Sequence, residues 1–247
     1  MPADTILLLG GTAEANALAR RIAAEMPATR LIVSLAGRTA SPQRPADEVR
    51  IGGFGGSAGL AHVLRAEGVT RLVDATHPFA IGISRAAAEA AERAGVPRLA
   101  LQRPAWEAIA GDDWHRVPCL KAAAASLPAG ATVFLALGRQ HLAPFAARPD
   151  LRFVTRMVEP PAEPLPFPAR LVFGKPGEDW RAEAALLAET GADWLVSRNS
   201  GGAASYAKIE AARRLGLPVT LIERMAAPAP PVVATIAAVM DWLGASA

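Results

Sequence analysis

Short, unbroken apolar runs alternate with alanine-rich stretches along almost the whole chain, and this alternation constrains the fold more than any other feature. "TILLLG" from Thr5, "RLIVSLAG" from Arg30, "TRLVDAT" from Thr70 and "PRLALQ" from Pro97 are continuous hydrophobic runs, not alternating ones. Such runs suit strands buried on both faces of a parallel sheet. Between them, Ala13 to Ala24, Leu60 to Glu67 and Ile81 to Ala94 read as helices, the last closed by Gly95 and followed by Pro97. Strand–helix–strand repetition predicts an α/β fold of the doubly wound, Rossmann-like kind.

The pattern breaks at "QRPAWEAIAGDDWHRVP" (Gln102 onward), which has two prolines, two tryptophans and little periodicity. A boundary near Pro104 therefore divides a first domain, 1–104, from a second, 105–247. The second repeats the alternation: strands in "ATVFLALG", "LRFVTRMV", "ARLVFGKPG", "ADWLVSRNSGG" and "LPVTLIER", with helices at Glu178 to Glu189 and Ala203 to Leu215. A short helix is expected near Leu142 to Ala147, and "EPPAEPLPFP" must be irregular or extended. Val232 to Leu243 reads as a closing helix of the second domain. The expectation is two Rossmann-like domains with mainly parallel sheets and a cleft between them.

Composition narrows the function classes. An apolar fraction of 51% with 20% charged residues belongs to a well-buried globular protein. No apolar run approaches the ~18 residues of a membrane span, and no basic segment opens the chain as in a secretory signal. A cytoplasmic protein with no membrane partner is expected. One cysteine, Cys119, excludes an internal disulfide and a cysteine-based zinc site, and the histidines show no metal-like spacing, so no metal is expected. Only three of the 26 basic residues are lysine (Lys121, Lys175, Lys208), the rest being arginine. Genomic base composition is one reading of this bias; a demand for planar forks that bind carboxylate or phosphate is the competing one. No basic cluster interleaves with aromatics, which argues against a nucleic-acid partner.

The loops carry the chemistry. Gly10-Gly11-Thr12 follows the first strand and opens a helix, as a dinucleotide fingerprint does, but with its glycines displaced. Amides at a helix start favour an anion, glycines admit a pyrophosphate, Thr12 offers a hydroxyl, and small Ala15 takes the packing role of the third glycine. The second strand ends in Gly37-Arg38-Thr39 with no acidic residue for a ribose diol; an arginine there suits a 2′-phosphate and predicts NADPH over NADH. "VDATHPFA" ends a further strand with Asp74, Thr76, His77 and Pro78, the proline suited to a first helical position. His77 is open to three readings: proton donor, hydrogen-bonding group, or helix cap. His62, His115 and His141 read as surface or structural residues. In the second half Arg198, Asn199, Ser200, Gly201 and Gly202 stand at another strand end, with Lys208 on the next helix and Arg139 and Arg156 at other strand ends. That is an anion cradle with flanking cations, or else a well-capped helix.

"LLLGGTAEA", "VDATHPFA", "RNSGG" and "KIEAARRLGLPV", in this order, resemble the precorrin-6A reductase family of cobalamin biosynthesis, over Ile6 to about Arg224. The resemblance implies an NADPH-dependent enzyme that reduces one double bond of a polycarboxylate corrin-precursor macrocycle, taking precorrin-6A to the dihydro product precorrin-6B. It assigns Gly10, Gly11, Thr12, Glu14, Gly37, Arg38, Thr39, Asp74 and Thr76 to the cofactor. It places His77 near the nicotinamide and the cleft, where His77 is the candidate catalytic proton donor, with water or a substrate carboxyl as the alternatives. Arg139, Arg198, Asn199, Ser200, Gly201, Gly202 and Lys208 fall to the macrocycle, and a monomer is expected. Two departures stand out: the family's lysine is here Arg198, and its arginine-proline is here Arg224-Met225. An NADPH oxidoreductase for a smaller substrate, and a non-catalytic NADPH- or tetrapyrrole-binding protein, are the competing readings. A Tyr-x-x-x-Lys pair is absent, since Tyr206 precedes Lys208 by two positions.

Overall fold

The computed structural model describes residues 4–37, 46–225 and 227–245. The chain divides into two compact units, residues 1–104 with 226–247 and residues 105–225. Unit 1 begins with strand β1 (Thr5–Leu9), helix α1 (Ala13–Glu25), β2 (Arg30–Leu35), β3 (Glu48–Ile51), α2 (Ser57–Ala66), β4 (Arg71–Asp74), α3 (Ile81–Ala94) and β5 (Arg98–Leu101). All of β1, β4 and β5 is buried, as their unbroken apolar runs require. In α1 the buried Ala15, Leu18, Ala19 and Ile22 recur at helical spacing, so one stripe faces the sheet. Gly95 closes α3 in the left-handed conformation, as expected.

Unit 2 holds β6 (Trp114–Val117), α4 (Leu120–Ser126), β7 (Thr132–Leu135), β8 (Arg152–Met157), β9 (Ala169–Phe173), α5 (Trp180–Glu189), β10 (Trp194–Arg198), α6 (Ala207–Leu215) and β11 (Val219–Ile222). The short helix expected near Leu142 is a pair of 3₁₀ turns, Arg139–His141 and Ala143–Ala147. After β11 the chain returns to unit 1 with β12 (Val232–Val233) and α7 (Ile236–Gly244).

Each unit contains one six-stranded sheet, ordered β12-β5-β4-β1-β2-β3 and β6-β11-β10-β7-β8-β9, and every strand pairing in both is parallel. Both orders follow the dinucleotide-fold pattern, with one exchange of connectivity. The strand that follows β5 in sequence joins β11 in the other unit, and the strand that follows β11 joins β5. The closing segment therefore belongs to unit 1 and not, as expected, to the second domain. Its helix also starts later than expected, because Val232 and Val233 pair with Ala100 and Leu101 first. Val239, Met240 and Leu243 then pack with Leu18, Ile22 and Leu99, covering the sheet face that α1 leaves bare beside β5. Leu60, Leu64, Ala87 and Ala90 of α2 and α3 cover the opposite face. No helix among the described residues is long and apolar enough to cross a membrane.

Candidate functional site

Strand order in unit 1 reverses beside β1, with β4 on one side and β2 on the other. Ligands of open parallel sheets bind outside the carboxyl ends of the strands at such a switch point. Gly10, Gly11 and Thr12 make the turn there. Gly10 N donates to Ser34 O of β2 at 2.9 Å. Gly11 has φ +103°, which an L side chain rarely adopts, and the place of its missing Cβ is open for 4 Å around. Bare backbone at the start of α1 is what lets an anion approach the helix-end amides.

Thr12 is 8% exposed. Its Oγ1 accepts from Ala15 N at 3.0 Å and donates to Ala75 O at 2.8 Å. The one hydroxyl proton is thus spent inside the protein, which corrects the expected donation to phosphate. Thr12 caps α1 and ties the β1 turn to the β4 turn. Glu14, in the first turn of α1, forms an ion pair with Arg103, and both line a small hollow with Thr12 and Thr76. Sequence reasoning missed Arg103. Its signal was available: a carboxylate at a helix start that also serves an anion needs a cation close by, and Arg103 follows β5. Gly37 follows β2 with φ +70°. Arg38 and Thr39 lie outside the described residues.

At the end of β4, Asp74 is 2% exposed. Its Oδ1 accepts from Thr76 N at 3.1 Å and from Thr76 Oγ1 at 2.7 Å. Thr76 Oγ1 also lies 3.2 Å from Ser84 Oγ, which must be the donor because the Thr76 proton is already given. Helix α3 starts at Ile81, so Pro78 is not its first residue; Pro78 instead follows His77 in a turn closed by Ala80 N donating to His77 O at 2.7 Å. The Phe79 amide donates to His77 Nδ1 at 3.2 Å, which leaves the imidazole hydrogen on Nε2. In that tautomer Nε2–H is a hydrogen-bond donor.

In unit 2 the residues predicted for substrate divide into two groups. Arg139 is exposed and meets Glu163 at 3.2 Å. Arg198 Nη1 lies 3.0 Å from His141 Nε2, so the ring accepts there and carries its hydrogen on Nδ1. His141, read from sequence as a surface or structural residue, is thereby brought beside a predicted site residue. Asn199 is fully buried. Its Oδ1 accepts from Trp106 N at 2.8 Å, and its Nδ2 donates to Trp106 O at 3.1 Å and to Glu223 Oε2 at 3.2 Å. Lys208 is 6% exposed; its Nζ donates to Ser205 O at 2.6 Å and stands 5.1 Å from the Trp106 ring centroid. Asn199 and Lys208 therefore brace the loop, where direct substrate contact was expected. Arg224 completes the brace, donating from Nε to Asn199 O and from Nη2 to Ser200 O at 3.0 and 2.9 Å. Ser200 is 8% exposed, and Gly201 and Gly202 turn the chain at φ +66° and +73°.

The chain is 46% identical over 240 residues to a precorrin-6A reductase of Rhodobacter capsulatus, covering 96% of this chain and 95% of that protein. It is 42% identical over 226 residues to one from Mycobacterium tuberculosis, covering 91% and 90%. A cobalt-precorrin-6A reductase of Priestia megaterium is 28% identical over 231 residues, covering 89% and 90%. A solved structure described as CobK precorrin-6A reductase superposes with a TM-score of 0.93 at 46% identity, covering 98% of this chain and 96% of that one. The family described as Precorrin-6x reductase CbiJ/CobK matches residues 5–244. With the two parallel sheets and the glycine turn at the switch point of the first, the chain belongs to the precorrin-6x reductase family of oxidoreductases.

Proposed function

We propose that this chain uses NADPH to reduce one double bond of precorrin-6A to the dihydro product precorrin-6B. The observation that carries the cofactor half is the open backbone at Gly11, beside the start of α1 and at the switch point of the unit 1 sheet. Gly10, Gly11 and the first-turn amides of α1 hold the pyrophosphate; Thr12 keeps that turn in register with the β4 turn. Glu14 answers Arg103. Arg38 and Thr39, after Gly37, take the 2′-phosphate, since no acidic residue stands there to hold a ribose diol. The nicotinamide, when bound, supplies the hydride.

Asp74, Thr76 and His77 lie at the end of the neighbouring strand, on the side where the ring half of a dinucleotide extends from such a turn. His77 presents its Nε2–H as a hydrogen-bond donor, and the proton added to the macrocycle comes from water or from a substrate carboxyl. Arg139 and Arg198 meet carboxylate arms of the substrate, aided by the backbone of Ser200, Gly201 and Gly202. Asn199, Lys208 and Arg224 keep that loop in shape.

The test mixes the full chain with NADPH and precorrin-6A and follows nicotinamide absorbance together with the mass of the product. Oxidation of NADPH with gain of two hydrogens is expected. Binding without oxidation overturns the enzymatic reading, and equal or better use of NADH overturns the choice of cofactor.

A further inference from the structure

The segment "AWEAIAGDD" (Ala105 to Asp113) opens unit 2 ahead of β6 and interrupts the strand–helix alternation. From Gln102 to Ile109 it forms neither helix nor strand, so its backbone groups need partners outside regular structure. Trp106 finds them on the loop that follows β10. Its amide donates to Asn199 Oδ1 at 2.8 Å, and its carbonyl accepts from Asn199 Nδ2 at 3.1 Å. Its indole Nε1–H donates to Gly202 O at 2.8 Å. Trp106 is only 7% exposed, so it stands behind the loop and offers no face to a ligand.

Gly201 and Gly202 are two consecutive residues in the left-handed region, and glycine has the widest choice of backbone conformations. A fixed shape for this turn therefore needs a tie from outside it. Arg224 holds the carbonyls of Asn199 and Ser200 at the start of the loop; the indole holds that of Gly202 at its far end. The indole is itself anchored away from the loop. Its ring lies 5.7 Å from that of Tyr206, whose hydroxyl accepts from Arg213. Arg213 Nε donates to Asp112 Oδ1 at 2.8 Å, and Asp112 Oδ2 accepts from the Ile109 amide at 2.9 Å. Trp106 is thus held by its own segment and by the start of α6, and presents a fixed donor to a carbonyl that would otherwise be free to turn.

We propose that Trp106 is a positioning residue for the macrocycle: its indole N–H selects the conformation of Gly201-Gly202 in which the loop backbone meets the substrate. The proposal rests on the reading of this loop as part of the substrate site. A loop that spends less time in its binding-competent shape lowers apparent affinity by the same factor. The chemical step in the bound complex is untouched. Loss of the indole N–H therefore acts on KM and not on kcat, and on the macrocycle and not on the nicotinamide cofactor.

The experiment uses Trp106→Phe in the full chain, which keeps an aromatic ring and both backbone bonds to Asn199 but removes the donor to Gly202. In steady-state kinetics the KM for precorrin-6A should rise ~5-fold or more, while kcat and the KM for NADPH stay within ~2-fold of wild type. An unchanged KM for precorrin-6A overturns the proposal, as does an equal rise in both KM values. The wild-type protein supplies a second measurement that needs no variant to fold. With its indole nitrogens labelled for magnetic resonance, saturating precorrin-6A without NADPH should shift the Trp106 indole signal and slow its exchange with solvent. A signal that stays in place at saturation overturns the proposal. Wild-type protein that neither binds nor reduces precorrin-6A overturns instead the reading of function beneath it.

Discussion

Thr12 shows how a single hydroxyl decides between two roles. A threonine after a glycine pair reads as a phosphate donor, but its proton goes to Ala75 O and its oxygen caps the Ala15 amide. Thr12→Val should therefore cost about 1–2 kcal/mol, read from the urea midpoint, while Thr12→Ser should recover most of it. Asn199 makes the same point in unit 2. Asn199→Ala strands the Trp106 amide and carbonyl, while Glu223 keeps Arg116, for a loss of about 3 kcal/mol with little change in denaturant slope. At His77 the bond from Phe79 N predicts that His77→Gln, which retains an N–H donor, keeps more turnover than His77→Ala. If both variants lost ~100-fold in kcat, and with it the fall in rate that the wild type shows as pH rises, the general-acid role would stand.

At the scale of elements, α4 owes its ending to a residue well beyond it. Arg148 donates to Ala124 O and Leu127 O at 2.7 and 2.9 Å, closing the C-terminal carbonyls of α4, and is itself gripped by Asp150. The Arg148 guanidinium holds the Asp150 carboxyl below its ordinary value of 3.8. With the folded pKa depressed, the stabilisation is complete above pH 3.8 and is lost as pH falls through the lower folded value. Asp150→Asn should flatten that acid limb of an unfolding profile by lowering stability above pH 3.8, with wild type and variant converging at low pH. Helix α7 supplies a packing test. Leu243 is fully buried against α1 and the unit 1 sheet, so Leu243→Ala should cost about 2–5 kcal/mol, measured by thermal or denaturant unfolding of unit 1.

For the whole molecule, the exchanged connectivity has a consequence for truncation. A chain ending at Met225 lacks β12 and α7, which leaves β5 as a bare edge and uncovers Leu18 and Ile22. Unit 1 should then lose its cooperative transition while unit 2, whose six strands all lie within residues 105–225, retains slow amide exchange in β7 and β10. Exchange mass spectrometry of full-length and truncated chains distinguishes this from uniform destabilisation. Saturating NADP⁺ should raise the unfolding midpoint of the full chain in proportion to the logarithm of its concentration and do little for the truncated one.

The local sequence determined the parts whose signals are local. Unbroken apolar runs made β1, β4 and β5 legible, helical spacing marked α1 and α3, and Gly95 set the end of α3. The glycine turn and the motifs shared with the precorrin-6x reductases were legible as well, because close backbone approach demands particular residues at particular places. Tertiary structure decided what depends on partners far along the chain. Val232–Val233 is too short to read as a strand and becomes one only because β5 offers it an open edge 131 or more residues away; the same holds for Trp114–Val117 beside β11. The direction of a hydroxyl proton, the tautomer of His77, the bracing roles of Asn199 and Lys208, and the pairing of Glu14 with Arg103 were likewise beyond the sequence. Each is set by which donor and acceptor the folded chain brings within 3 Å or so, and sequence spacing carries no record of that.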